Sequence, residues 1–366
     1  MSRILVVGSG LTGATAAHDL VARGHDVEVV EAAPVWGGQL RTERAAGVLY
    51  EPHGAHIFHT RDAEVWQRFS SLVEVVPYVH RVMTEVQGRL LSWPPQLAEL
   101  EALPEWSQIR DELDARPGTC RPDDFETWCL DLMGPTLYGW FVEPYTRKQW
   151  GVAPRELSAS WAPKRLELRD DGYLPLFRDP HQGWPQGGYT ELVDALLRDV
   201  PVRMGRAVTA ADVDALARDV DRVILTVPLD VFFDDALGPL PWRGVRLETT
   251  YHPGVDHVLP CGVVNHPGSD RAYTRRIETK WMSGQEGPGT LVSEEYPGAD
   301  ARHYPVDDAA GENRRLAGAY QRLVTDQLGP KYLIAGRLAT YTYIDMDQAM
   351  RQGMNAATAA LRTTER

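Results

Sequence analysis

The chain has 366 residues, 43% hydrophobic and 24% charged, enough for a core spread over two or three structural units. Its net charge of −13 excludes nucleic acid as the main partner, which needs a basic surface, but leaves room for a small phosphate-bearing substrate held by a few arginines. No apolar run reaches membrane-spanning length, so no membrane partner is expected; Cys120, Cys129 and Cys261 have no metal or redox spacing, which predicts reduced thiols in a cytoplasmic protein.

The first element is a short apolar run, Ile4 to Val7, of the kind that forms a buried parallel strand. It leads directly into Gly8-Ser-Gly10-Leu-Thr-Gly13. Gly8 permits a tight turn, Gly10 lets backbone approach a pyrophosphate, and Gly13 lets the following helix pack on the strand. That helix, Leu11 to about Arg23, points its N-terminal N–H groups at the phosphates. A second strand, Val27 to Val30, ends at Glu31, 23 residues after Gly8, where a carboxylate accepts the ribose hydroxyls of a dinucleotide. The plain alternative is a glycine-rich turn in an ordinary α/β domain, but strand, loop, helix, strand and acid occur in order.

The residues after Glu31 separate FAD from NAD. Gly37-Gly38 and then Arg41-Thr42 resemble the Glu-(x)n-Gly-Gly-x-x-x-Thr/Ser segment of FAD proteins of the glutathione-reductase and amine-oxidase type. Near the other end, Gly336-Arg337 through Tyr343, Asp345 and Met346 resembles the flavoprotein segment that passes beside the isoalloxazine ring. Between these ends, residues 76–93 alternate as an antiparallel hairpin, and residues 95–150 carry helical spacing broken at Arg116-Pro117-Gly118 and Met133-Gly134-Pro135. A strand-rich stretch spans about 243–297, succeeded by a helix near 310–328, a strand from Lys331 to Ala335 and a last helix from 345. The predicted fold is α/β: a discontinuous Rossmann-type FAD-binding domain (1–75, 184–242, 325–366), a helical domain (95–150), and an antiparallel sheet and substrate-loop domain (76–94, 151–183, 243–324).

Six segments, in order and over nearly the whole length, resemble the UDP-galactopyranose mutase family: Gly54-Ala-His56-Ile-Phe-His59-Thr60; Tyr145-Thr146-Arg-Lys148-Gln149-Trp150-Gly151; Gln182-Gly183 through Thr190; Tyr273-Thr274-Arg275; Glu295-Tyr296-Pro297; and Gly336 through Met346. The resemblance implies an isomerase that interconverts pyranose and furanose forms of a nucleotide sugar through a covalent sugar–flavin N5 adduct. It implies reduced FAD, no net redox, and NAD(P)H as a candidate external reductant. By match to the family motifs, Arg169 (on a mobile loop) and Arg275 bind the diphosphate, Tyr296 and Tyr343 donate to it, Tyr145 stacks on the base beside Thr146 and Trp150, and Asn265 joins the substrate site. Gly8, Gly10, Gly13, Glu31 and Gly38 hold the cofactor; Arg337, Asp345 and Met346 lie against the flavin, with His56 at its reactive face. A homodimer is a candidate assembly. His53, His56 and His59 make a poor metal site, so no metal is expected.

Three positions depart from the family pattern. The loop after Arg169 reads Asp170-Asp171-Gly172-Tyr173-Leu174-Pro175-Leu176-Phe177, with Leu176 in place of a tyrosine; Arg276 stands where an aliphatic residue is usual; Ile344 replaces a tyrosine. These predict a nucleotide sugar other than UDP-galactose, such as a deoxy- or amino-sugar. Two other functions share the fold: an FAD-dependent oxidoreductase of the amine-oxidase type, and a non-catalytic flavin- or nucleotide-binding protein.

Overall fold

In the computed structural model, which describes residues 1–117, 124–160 and 166–362, the two ends of the chain meet on one parallel sheet. Its five strands run in the order Val202–Arg203, Asp26–Val30, Arg3–Val7, Arg222–Leu225, Tyr332–Ile334. Every pairing is parallel. Such a sheet is covered on both faces, which explains why Ile4, Leu5, Val6 and Val7 are all buried rather than alternating. One face packs on helix Leu11–Ala22, with Tyr189–Leu197 and the closing helix Met346–Ala360 beside it. The other face packs on Glu312–Leu323, around Leu225, Phe232 and Tyr320.

A second sheet of seven strands runs in the order Tyr304–Pro305, Trp242–His252, Thr290–Gly298, Arg275–Ile277, Val263–Asn265, Val82–Val86, Arg89–Trp93. It is antiparallel except where Val263–Asn265 lies parallel to Val82–Val86. The expected hairpin over 76–93 is present as the antiparallel pair Val82–Val86 and Arg89–Trp93. The described residues of the 95–150 stretch are mostly helical, and the break at Gly134 is real: its φ of +74° interrupts Phe125–Leu137, with Pro135 next. Pro135 lacks a backbone N–H, so a continuous helix would lose a hydrogen bond there in any case. A small sheet of Phe58–Thr60, His181–Pro185 and Val75–Pro77 was not anticipated; two of its strands have three residues, too short for a periodic signal. It carries the Gly54–Thr60 motif against residues 181–183. Cys120 lies outside the described residues; Cys129 and Cys261 are buried free thiols, which burial pushes toward the neutral form. Among the described residues no helix is long and apolar enough to cross a membrane.

Candidate active site

The glycine loop is built as its spacing predicts. Gly8 has φ +104°, open mainly to glycine. A Cβ on Gly13 would sit 2.1 Å from the Gly8 carbonyl oxygen, so helix and strand approach only because none is there. A Cβ on Gly10 meets nothing within 4 Å. The space beside Gly10 is therefore open, next to the helix Leu11–Ala22, whose N-terminus has no side-chain cap. The Glu31 carboxylate stands at the rim: Oε2 accepts from Ser9 N at 2.8 Å and Ser9 Oγ at 2.6 Å, and Oε1 from Ala33 N at 2.9 Å. Gly37 forms a bridge with Gly10, and a Cβ on Gly38 would come within 3.5 Å of the Gly10 Cα, so the second glycine pair does fold back along the loop. The closing segment completes the cradle. Thr12 Oγ1 donates to the Ala349 carbonyl at 3.0 Å, Arg337 donates to the Gln39 side chain, and Asp345 caps Met346–Ala360. An open gap at Gly10, orphan helix N–H groups and a nearby carboxylate fit a dinucleotide pyrophosphate and ribose.

A cavity of about 320 Å³ is lined by Gln39, next to the returning glycine pair, and by the closing segment. It brings together His56, Tyr145, Thr146, Trp150, Asn265 and Arg275. Arg337, Tyr343, Asp345 and Met346 line it from the closing segment. Strand pairing sets the Arg275 position. Arg275 lies opposite Glu295 on one side and Asn265 on the other. Its Nη2 is 2.8 Å from Glu295 Oε2 and 3.4 Å from the Tyr304 hydroxyl. Burial alone would lower the Arg275 pKa; the Glu295 carboxylate outweighs it and holds the guanidinium charged. The buried Nε of Arg275 has no acceptor among the described residues, so the group keeps an unused donor. His80 and His303 also line the cavity, and burial lowers both to about 3, so they stay neutral.

Two expected residues do not face the cavity. Tyr296 follows Glu295 on one strand, and successive side chains of a strand point to opposite faces. Glu295 faces Arg275, so Tyr296 turns away: its hydroxyl donates to Glu294 Oε2 at 2.9 Å, and the Arg246 guanidinium lies 4.8 Å over its ring. Tyr304 occupies the place expected of it. Tyr304 lines the cavity, stacks on Tyr343 with ring centroids 5.8 Å apart, and lies 6.1 Å from the Trp150 ring. Burial raises the Tyr304 pKa, which keeps the phenol a neutral donor. Its sequence signal was the Tyr-Pro step in His303-Tyr304-Pro305-Val306.

Arg169 is the other. It is 2% exposed, and its guanidinium bonds Glu167 and the carbonyls of Tyr173 (2.8 Å), Pro175 (2.5 Å) and Leu176 (3.0 Å). It folds the loop that carries Leu176 and Phe177 into the cavity lining. Phe177 stacks on His59 with centroids 3.5 Å apart, and Leu176 N donates to the His80 carbonyl at 2.7 Å. Of the three departures from the family pattern, Leu176 and Ile344 line the cavity. Sequence reading also missed Glu51, 1% exposed, whose Oε1 is 2.9 Å from His56 Nδ1 and whose Oε2 accepts from His56 N at 3.0 Å. Among the described residues no group of three or more His, Cys, Asp or Glu is placed to hold a metal ion.

Parallel sheet and glycine loop define an α/β protein of the dinucleotide-binding kind, with a cation- and phenol-lined cavity beside its closing segment. Residues 6–72 match the NAD(P)-binding Rossmann-like domain, and residues 140–343 match the UDP-galactopyranose mutase family. The chain is 31% identical to a probable UDP-galactopyranose mutase of Klebsiella pneumoniae over 97% of this chain and 93% of that protein. It is 30% identical to a dTDP-fucopyranose mutase of Escherichia coli, covering 98% of each. Its fold superposes on a crystal structure of reduced UDP-galactopyranose mutase with a TM-score of 0.80 at 18% identity, over 100% of this chain and 97% of that one. The chain belongs to the UDP-galactopyranose mutase family, and is an isomerase.

Proposed function

We propose that this enzyme binds FAD in the Gly8–Gly13 cradle and, with the flavin reduced, interconverts the pyranose and furanose forms of a nucleotide sugar without net redox change. The observation that carries the reading is Arg275, charged, with a free Nε donor, in a cavity shared with the cofactor-side residues Arg337 and Asp345. When bound and reduced, FAD supplies a nucleophile for the anomeric carbon. The chain's own residues hold the group that leaves that carbon. Arg275 neutralises the departing diphosphate, Tyr304 and Tyr343 donate to its oxygens, and Tyr145, Thr146, Trp150 and Asn265 line the substrate's side of the cavity. An amine-oxidase site would instead present an apolar cage to an uncharged amine. Arg169 would reach the diphosphate only by leaving Glu167 and three backbone carbonyls, so its role here is to fold the loop.

The enzyme should therefore turn over only when reduced, consume no oxygen, and return its substrate's isomer; equal activity of the oxidised enzyme would overturn this reading. Leu176 and Ile344 stand in the cavity where tyrosines are usual in the family, which supports a sugar with one hydroxyl fewer, such as a 6-deoxy sugar. We expect kcat/KM for dTDP- or GDP-linked 6-deoxy-hexoses to exceed that for UDP-galactose by roughly tenfold or more, up to about 10²-fold, since an apolar pocket discriminates weakly against an added hydroxyl. A preference for UDP-galactose over every deoxy-sugar would remove the substrate reading and leave the mutase reading intact.

The two tyrosines separate by the same assay. Tyr304→Phe deletes a donor inside the cavity and is expected to lower kcat/KM about tenfold, the value of roughly 1.5 kcal/mol for one hydrogen bond. Tyr296→Phe, which loses only its bond to Glu294, is expected to change kcat/KM less than twofold. The reverse pattern would restore Tyr296 to the site.

A further inference from the structure

His56 lines the cavity, and the group that holds it is a buried carboxylate. Glu51 is 1% exposed and turns both oxygens to one residue: Oε2 accepts the His56 backbone N–H at 3.0 Å, and Oε1 lies 2.9 Å from Nδ1. Tyr189 fixes the far side. Its hydroxyl donates to the His56 carbonyl at 3.0 Å, and its ring meets the imidazole edge-on at 5.9 Å. The imidazole lines the cavity, and among the described residues nothing bonds its Nε2. Burial pushes the Glu51 pKa up, and the His56 imidazole at Oε1 opposes that by favouring the carboxylate. A carboxylate can only accept, so the proton of a neutral imidazole beside the ionised Glu51 sits on Nδ1, and Nε2 is left with its lone pair.

Pyranose–furanose exchange needs one proton relayed as well as a diphosphate held. The C1–O bond to the old ring oxygen breaks and that oxygen gains a proton. A C1–O bond to a different hydroxyl forms and that hydroxyl loses one. No electrons are gained or lost. We propose that His56 Nε2 takes the proton of the incoming hydroxyl and delivers it to the old ring oxygen as its C1–O bond breaks, and that Glu51 is the positioning residue that keeps the resting Nε2 unprotonated. The assignment rests on the mutase reading above.

Glu51→Gln tests it with almost no change of shape. In the variant, one atom must still accept from the His56 backbone N–H, so the amide oxygen takes that place and the amide NH2 faces Nδ1. The imidazole must then carry its proton on Nε2, the inverted tautomer. With ¹⁵N-histidine-labelled holoenzyme at pH 8, the wild-type His56 signal, identified by its loss in His56→Gln, is expected to show protonated Nδ1 and bare Nε2. Glu51→Gln is expected to invert it, keep FAD, and lower kcat by at least about 10²-fold with KM nearly unchanged, as for loss of general acid–base catalysis. A protonated Nε2 in the wild type, or a Glu51→Gln kcat within twofold of wild type, would overturn the proposal. Should Glu51→Gln not take up FAD, the wild-type tautomer decides. A wild type with the expected tautomer but inactive on every nucleotide sugar would instead defeat the mutase reading and the proton-carrying role with it, while leaving Glu51 as the group that sets the tautomer.

Discussion

Arg275→Ala is expected to abolish most turnover and to destabilise the protein, by two separable routes. Losing a positioned cation where charge develops on the departing diphosphate should lower kcat by about 10²–10³-fold. The same change leaves Glu295, 0% exposed, without its ion-pair partner, and an uncompensated buried charge costs about 3–5 kcal/mol. Adding Glu295→Gln to Arg275→Ala should restore much of the thermal stability and none of the activity. Arg275→Lys should recover only part of the rate, because an ammonium lacks the two-pronged donor geometry of guanidinium. The measurements are thermal melts and steady-state kinetics on the three variants. Near-normal turnover of Arg275→Ala would take this residue out of the mechanism.

The second large effect separates cofactor binding from folding. Gly10→Val should fold, because Gly10 has ordinary backbone angles (φ −63°, ψ 172°) and open space where a Cβ would point. That space is where a pyrophosphate lies in a glycine loop of this spacing, so the variant should purify colourless, with FAD affinity lower by at least about 10²-fold. Gly13→Ala should fail earlier. Its Cβ would press against the Gly8 carbonyl at 2.1 Å, backbone against backbone, and helix Leu11–Ala22 would have to move off the strand. Flavin absorbance per chain and the melting temperature of the cofactor-free proteins distinguish the two. A yellow Gly10→Val protein with wild-type affinity would show that no cofactor occupies this loop.

Much of the site was legible because its signals are local. The glycine spacing, the acid after the second strand and the returning Gly37-Gly38 each constrain backbone within a few residues, so Gly8, Gly10, Gly13, Glu31 and Gly38 are all found where their order placed them. Tyr145, Thr146, Trp150, Arg275 and Tyr343 likewise reached the cavity from motifs read along the chain. Tyr296 did not. Its motif was correct, but in a strand the choice between residue 295 and residue 296 decides which face a side chain occupies. That choice is made by the pairing of Thr290–Gly298 with Arg275–Ile277, which aligns Arg275 with Glu295.

The amino-acid sequence by itself determined the parallel sheet, the family and the glycine loop, because glycine conformations and short apolar runs act on neighbouring backbone. Only the tertiary structure decided which side chains share the cavity. Arg169 has five donors and bonds whatever acceptors the folded loop offers, here Glu167 and three carbonyls. Glu51 looks like any surface glutamate in the sequence, and becomes the partner of His56 only when the turn over 51–56 is buried. Tyr304 comes to Arg275 from an edge strand, with two other strands between them in the sheet. Hydrogen-bond partners and strand faces depend on long-range register, and spacing along the chain carries no record of it.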